Sequence, residues 1–324
     1  MKTTMCILVS ATALLLSSAV WSFDAGRRAL SPWDYGSNLD RKTILDLIQD
    51  KDTKMFHLVE RRVDSQIERT VYSSDHYLSN AHWSCDGGYL AFLVRGETDN
   101  IGAGDFGQKL VIQDSAGRQA IEIPDVRRYR WSPFTSKIAG IIGDDIEGGV
   151  GFVSKTFFMY DIPTKEKSEF STKAFDLYWA KHNNSIYLAH CHKNDPTEIF
   201  DPVRKVKTAT SYLGIYFSPD GAYYYSPTCD GSLFILRKTE NNETVQSHPT
   251  LQKEYLYPRG WLEGTNCLVV WDYNRRVAEI INVETGKSLE VNTSPDNQPG
   301  TILRRDFWGG TEVKITDEMI NSLK

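Results

Sequence analysis

An all-β propeller of six four-stranded blades, its N- and C-terminal halves closing one blade, is the architecture this 324-residue chain predicts. Three features carry that prediction: an aromatic-led phrase that keeps returning, a near-even distance between returns, and strand-turn-strand content in each interval. The phrase is clearest at Phe217-Ser218-Pro219-Asp220-Gly221, which runs into Tyr223, Tyr224 and Tyr225. It returns at Trp83 (WSCDGGYLAF), Trp131 (WSPFTSKIAG), Trp179 (WAKHNNSIYL) and Trp261 (WLEGTNCLVV), with a weaker copy at Trp308. From Trp83 through Trp131, Trp179, Phe217 and Trp261 to Trp308 the intervals are 48, 48, 38, 44 and 47 residues. Seven positions after each aromatic stands Leu90, Ile138, Ile186, Tyr224, Leu268 or Ile315.

Within one unit the aromatic ends a first strand, and Ser, Pro, Asp, Gly or Asn reverse the chain, with Gly supplying positive φ. A second strand follows, as in Tyr89–Leu93, and then a third, as in Lys109–Ile112 or Thr156–Tyr160. A polar turn such as Asp114-Ser115-Ala116-Gly117 or Glu284-Thr285-Gly286 leads to the fourth. No such unit buries both of its faces alone, so neighbours must stack around an axis. Halves made of third and fourth strands fall near Met55–Thr70 and at 109–124, 157–170, 198–207, 233–245 and 278–291. The first of these lacks a leader and the Trp308 half lacks a follower; pairing Met55–Thr70 with Val313–Thr316 would leave no open sheet edge.

The termini read differently. Lys2 precedes an apolar or small-residue run from Met5 to Val20, the pattern of a secretory signal peptide, with cleavage expected after Ala19 or Ser22. The mature chain is therefore expected in the periplasm or outside the cell, without a membrane span, since no second long apolar stretch follows. Residues 23–52 form an N-terminal extension in which Leu39, Ile44, Leu45 and Ile48 of Asn38–Gln49 have near-helical spacing, so a short helix is expected. The propeller spans 53–316, and 317–324 are a C-terminal tail. An apolar content of 40%, with 8 Trp and 16 Tyr, suits strands better than helix bundles. The net charge of −5 and the lack of any like-charge block argue against a nucleic-acid partner.

The W-S-P-D-G phrase resembles the repeat of TolB-type propellers, also seen in the propeller domains of prolyl oligopeptidase relatives. The resemblance covers roughly Met55 to Ile315; Trp83 and Phe217 match well, Trp131 and Trp179 partially, and Trp261 by spacing. It implies a propeller fold and, by similarity to TolB, a role in engaging a protein or cell-envelope partner. The hydrolase domain that accompanies this repeat in prolyl oligopeptidase relatives has no counterpart here, so a peptidase is not expected.

Candidate chemistry is sparse. Gly102-x-Gly104-x-x-Gly107 leads into a strand rather than a helix, so it lacks the helix N-terminus that a dinucleotide site needs. The loops after the second strands of two consecutive repeats hold Asp99 and Asp105, then Asp145 and Glu147, a candidate set of oxygen ligands for Ca2+ or simply a solvated acidic rim. His190-Cys191-His192 places two imidazoles on one side of a strand end without an evident third ligand. Cys191 and Cys229 stand at the same offset in consecutive repeats, which makes them a candidate disulfide, while Cys267 reads as a small buried hydrophobe. No G-x-S-x-G, H-E-x-x-H or C-x-x-C motif occurs.

Loops at one rim are where a propeller binds. That rim is expected to carry Arg127, Arg128, Arg130, Asp176, Tyr216, Arg259 and Asp306, with Arg304 and Arg305 beside the last. Arginine and aromatic anchors suit a scaffold for a protein or cell-envelope partner, needing no cofactor. The alternative is a carbohydrate lyase, hydrolase or lactonase with a site at the axial end, which converging histidines and carboxylates would favour.

Overall fold

In the computed structural model, the described residues are 29–30, 43–50, 52–62, 68–95, 108–118, 120–145, 152–190, 196–210, 216–227, 234–252, 256–262, 264–272, 277–291 and 317–324. Nearly all of them belong to antiparallel strands or the turns between them. After β1 (Ala29–Leu30), strands β2 (Thr43–Gln49), β3 (Phe56–Arg62) and β4 (Glu68–Ser74) make the first sheet. The second is β5 (Leu78–Trp83), β6 (Tyr89–Val94), β7 (Lys109–Asp114) and β8 (Ala120–Pro124). The third is β9 (Val126–Trp131), β10 (Lys137–Asp145), β11 (Phe152–Asp161) and β12 (Glu166–Ser171). The fourth comprises β13 (Ala174–Trp179), β14 (Ile186–His190), β15 (Glu198–Asp201) and β16 (Val206–Ala209). Strands β17 (Tyr216–Phe217), β18 (Tyr223–Pro227) and β19 (Phe234–Lys238) form the fifth. The sixth is β20 (Leu256–Leu262), β21 (Cys267–Asp272), β22 (Val277–Asn282) and β23 (Ser288–Val291), with β1 on the free edge of β20.

The seven-residue spacing of the repeat is a hairpin register. Trp83 pairs with Leu90, Trp131 with Ile138, Trp179 with Ile186, Phe217 with Tyr224 and Trp261 with Leu268. Each pair is buried, so one local spacing delivers two large side chains to the core from every repeat. The first strands β9 and β13 are buried almost throughout, whereas β12 is largely exposed and β16 wholly so.

Apolar seams join consecutive sheets. Leu45, Leu47 and Leu58 meet Leu78, Trp83 and Phe92; Leu110 and Ile112 meet Tyr129 and Trp131; Ile141 and Phe157 meet Leu177 and Trp179. One larger cluster joins Tyr178 and Tyr187 to Phe217 and Tyr224 and on to Trp261 and Leu268.

The turn chemistry explains the recurring phrase. Ser84 Oγ donates to Asp86 Oδ1 (2.6 Å) and accepts from the Tyr89 amide (3.0 Å); Ser218, Asp220 and Tyr223 repeat both bonds at the same distances. Gly87 and Gly221 take φ of 66° and 79°, which closes the turn at no steric cost. The second oxygen of each aspartate reaches the next sheet. Asp86 Oδ2 accepts from Ser136 Oγ, and Asp220 Oδ2 accepts from Asn266 Nδ2 at 3.0 Å; Ser136 and Asn266 both stand five residues past their own tryptophan. The tryptophans bridge the same seams, Trp131 Nε1 donating to the His82 carbonyl (2.8 Å) and Trp261 Nε1 to that of Tyr216 (3.3 Å).

Two expectations are corrected. Thr43–Gln49 is a strand, not a helix. It pairs with β3 along its whole length, and alternate residues Leu45 and Leu47 pack on the core, so tertiary pairing overrides the helical spacing. Within Met55–Thr70, β3 is bonded to β2 on one edge and β4 on the other; Val313–Thr316, the other half of the expected closure, lies outside the described residues. The tail is also structured: α1 (Asp317–Ser322) buries Ile320, and Leu323 follows it, against Leu262, Cys267, Val269 and Ile280 of the sixth sheet. The Leu323 carbonyl accepts from Asn282 Nδ2 and Thr285 Oγ1, both at 3.1 Å.

Candidate binding surface on the first strands

A bulge recurs on the first strands. The register slips between Ser79 and His82 on β5, across Arg127 on β9, across Phe175 on β13 and across Arg259 on β20. Bulges re-aim the side chains beside them. On β9, Tyr129 and Trp131 turn to the second sheet, where the Tyr129 hydroxyl meets the Asn80 and Ala91 carbonyls. Arg128 and Arg130 turn to the fourth.

Four predicted residues are thereby brought together. Arg130 Nη2 lies 3.8 Å from Asp176 Oδ1. The Tyr216 hydroxyl donates to Asp176 Oδ2, and the Leu177 amide donates to Oδ1 at 2.8 Å. The group spans β9, β13 and β17, the first strands of three consecutive sheets. Arg130, Asp176 and Tyr216 are only 3%, 5% and 4% exposed, so the charged pair is an internal key rather than a surface one. Burial, followed by the adjacent Asp176 charge, pushes the Tyr216 phenol well above its usual range despite the opposing Arg130 guanidinium. Tyr216 is a fixed proton donor, not a base.

Arg128, half-buried, lies beside the group, close enough for its charge to act on Tyr216. Its Cζ lies 5.5 Å from the Phe152 ring centroid and 5.6 Å from that of Phe175, and those two rings stack 5.4 Å apart at 13°. Three nearly equal sides place the guanidinium alongside both rings, within cation–π range of each. Arg128 Nη1 donates to the Arg127 carbonyl at 2.9 Å. Buried Arg127 itself donates through Nε to the Gly143 carbonyl, also at 2.9 Å.

The predicted location is corrected accordingly. Arg127, Arg128, Arg130, Asp176 and Tyr216 lie within strands, not on rim loops, and all but Arg128 are buried. Arg259 is the extra residue of the β20 bulge; its side chain, like that of Asp145 at the end of β10, lies outside the described residues. Asp99, Asp105, Glu147, Cys191, His192, Cys229, Arg304, Arg305 and Asp306 lie outside them altogether. Among the described residues no three His, Cys, Asp or Glu side chains gather as metal ligands would. Asp144 pairs with Lys155, and His190 Nε2 stands 3.7 Å from Glu198. Cys267 is buried and Cys85 sits in its turn, both as thiols. Phe152 and Phe175 went unread in the sequence, although Phe175 precedes Trp179 by four, just as Arg127 precedes Trp131.

No protein-family model matches the chain, and no curated protein sequence does. Solved structures do. The β-propeller domain of the Trilobed protease from Pyrococcus furiosus, described as having an open velcro topology, aligns with a TM-score of 0.53 at 12% identity, covering 78% of this chain and 82% of that one. The acylaminoacyl peptidase of Pyrococcus horikoshii aligns at 0.50 and 11% identity over 78% of this chain, which spans 44% of the peptidase. TolB from Acinetobacter baumannii aligns at 0.44 and 13% identity, covering 77% and 63%. Together with the successive antiparallel sheets, the first two likenesses define the fold as a β-propeller. Among the described residues no helix is long and apolar enough to cross a membrane.

Proposed function

We propose that the chain is a six-bladed propeller, exported by the leader at 1–22, that serves as a binding scaffold for a protein or cell-envelope partner in the periplasm or outside the cell. The partner docks where the bulged first strands converge near the axis. The observation that carries this reading is Arg128, a half-buried guanidinium alongside two stacked phenyl rings and next to a buried Arg130–Asp176–Tyr216 key. Immobilised arginine–aromatic groups of this kind are what binding surfaces use as anchors, because little side-chain entropy remains to be lost on contact. Tyr216 held as a donor and Asp176 held between two partners serve the anchor's support better than proton transfer.

The test is a pull-down from a cell-envelope extract with the full chain and with Arg128→Ala. Capture of a partner by the native protein and its loss in the variant, at unchanged melting temperature, is the expected result. Turnover of a sugar or lactone by the purified protein would replace the scaffold reading with the enzymatic one.

A further inference from the structure

We propose that the hairpin-turn rim of the third and fourth sheets docks the protein peripherally on an anionic lipid surface, at a site separate from the Arg128 group and independent of it. In an antiparallel sheet the first-to-second and third-to-fourth turns leave from the same end. Contacts put these ends on one rim. The Asp86 turn meets Ser136, the Ile162 amide donates to the Ser136 carbonyl at 3.2 Å, and Lys205 Nζ donates to Ser168 Oγ at 3.1 Å.

Two apolar tips stand out from that rim. Among the described residues four large hydrophobic side chains are exposed, and three of them are here: Phe134 (50%) in the β9–β10 turn, Val203 (81%) in the β15–β16 turn and Val206 (50%) just beyond it. Val153, the fourth, lies at the opposite end of β11. Each tip follows a proline, Pro133 or Pro202, and is held by its own turn. The Phe134 amide donates to Ser132 Oγ at 3.2 Å, and the Val203 amide to Asp201 Oδ1 at 2.8 Å. Phe134 also fills the place, three residues after the aromatic, from which Asp86 and Asp220 tie their turns to the next sheet. Here the repeat gives up a seam contact and holds a phenyl ring in water on a rigid turn. Such a break with the local rule marks a contact site, and the rigidity lowers the entropy lost on contact.

The charges beside the tips suit anionic headgroups. The four turns of these sheets (132–136, 162–165, 180–185 and 202–205) contain Lys165, Lys181, Arg204 and Lys205 and no Asp or Glu. The matching turns of the second, fifth and sixth sheets hold Asp86, Asp220 and Glu284. Lys181 has a partner of its own. Lys165 and Lys205 are exposed, and Arg204, also exposed, lies 3.8 Å from Asp201. Of the carboxylates bordering the turns, Asp161 is paired with Lys137 at 3.1 Å and Asp201 accepts the Val203 and Arg204 amides, which leaves Glu166.

A bilayer fits these tips better than a protein pocket. They stand on different turns of neighbouring sheets, which pack about 10 Å apart, so one anchor side chain cannot cover both. A flat interface receives every apolar tip on the rim while its headgroups meet the flanking cations.

The experiment is co-sedimentation of the exported protein, purified without its leader, with two kinds of vesicle, at low and at high salt. One is phosphatidylcholine alone, the other phosphatidylcholine and phosphatidylglycerol in equal parts. The expected result is binding to the mixed vesicles that weakens with salt and falls at least about tenfold in the Phe134→Asp/Val203→Ser double variant. Circular dichroism melting of that variant should match the native protein, since both side chains are exposed and aspartate is what the other turns carry. Lys165→Glu/Lys205→Glu leaves the apolar tips intact and should weaken binding to the mixed vesicles several-fold. Equal sedimentation of native protein and tip variant, a preference for neutral vesicles, or no vesicle binding would each overturn the proposal. Loss in the tip variant of a protein captured from a detergent-solubilised envelope extract, without vesicle binding by the native chain, would also overturn it and give the rim to a protein partner.

Discussion

Asp86, in the first turn of the second sheet, accepts the Ser136 hydroxyl of the third, and Asp220 of the fifth sheet repeats the contact with Asn266 of the sixth. Each carboxylate serves its own turn with one oxygen and the neighbouring sheet with the other. Burial opposes ionisation of Asp86, but the Ser136 and Ser84 hydroxyls and the Gly88 amide outweigh it and hold the group below the usual carboxylate range. Asp220 is likewise lowered against burial, by Ser218, the Ala222 amide and Asn266.

A folded-state value below the unfolded one means that the stabilisation is present above about pH 4 and is lost as pH falls through the lowered folded values. Thermal melts between pH 6 and pH 2.5 should show a drop beginning near pH 4. The Asp86→Asn/Asp220→Asn double variant should be less stable at pH 6 and show a shallower drop. Parallel curves for the two proteins would refute the linkage.

Trp131→Phe keeps most of the bulk but strips the indole donor from the His82 carbonyl, and should cost about 1–3 kcal/mol. Trp131→Ala should cost about 3–5 kcal/mol by opening a cavity. Trp179 is the control: its indole bonds Asn184 within its own turn, so Trp179→Phe should loosen the hairpin and not the seam. Denaturant titration gives the stabilities, and hydrogen exchange at the Trp131 seam locates the change.

Gly221 combines a φ of 79° with a ring behind it. An added Cβ would stand 2.6 Å from His182 Cδ2. Gly221→Ala should therefore destabilise by more than the roughly 1 kcal/mol that the backbone alone demands. Combining it with His182→Ala should recover the steric part, a coupling visible in a double-mutant cycle; strictly additive losses would exclude the clash.

Removing Ile320 or Leu323 should matter although both lie within eight residues of the chain's last residue. Each is buried on the sixth sheet, so Ile320→Ala or Leu323→Ala should cost about 2–5 kcal/mol in chemical denaturation. An unchanged midpoint would mean that the helix does not stay docked in solution.

Arg130 and Arg128 should separate stability from binding. Arg130→Ala leaves buried Asp176 short of a positive partner and should cost about 3–5 kcal/mol. Arg128→Ala should leave the melting temperature nearly unchanged and weaken binding. The reverse pattern would move the structural key to Arg128.

What the sequence by itself determined was everything set within about ten residues. The aromatic, the Ser-x-Asp-Gly turn and the residue at the seventh position lie close enough for spacing alone to specify a hairpin, and the five described copies pair as that spacing demands. Repetition then implied stacking, since a lone sheet cannot cover both faces. What only the tertiary structure decided was which way the first-strand side chains point and what covers the ends. Side chains alternate along a strand, so one inserted residue changes the alternation, and no spacing rule announced the bulges at Arg127 and Phe175. Those bulges turn arginines assigned to a loop rim into a buried key with Asp176 and Tyr216, and leave Arg128 beside two phenylalanines from distant parts of the chain. Thr43–Gln49 follows the same logic: its pattern allowed a helix, and the backbone groups of β3 made it a strand.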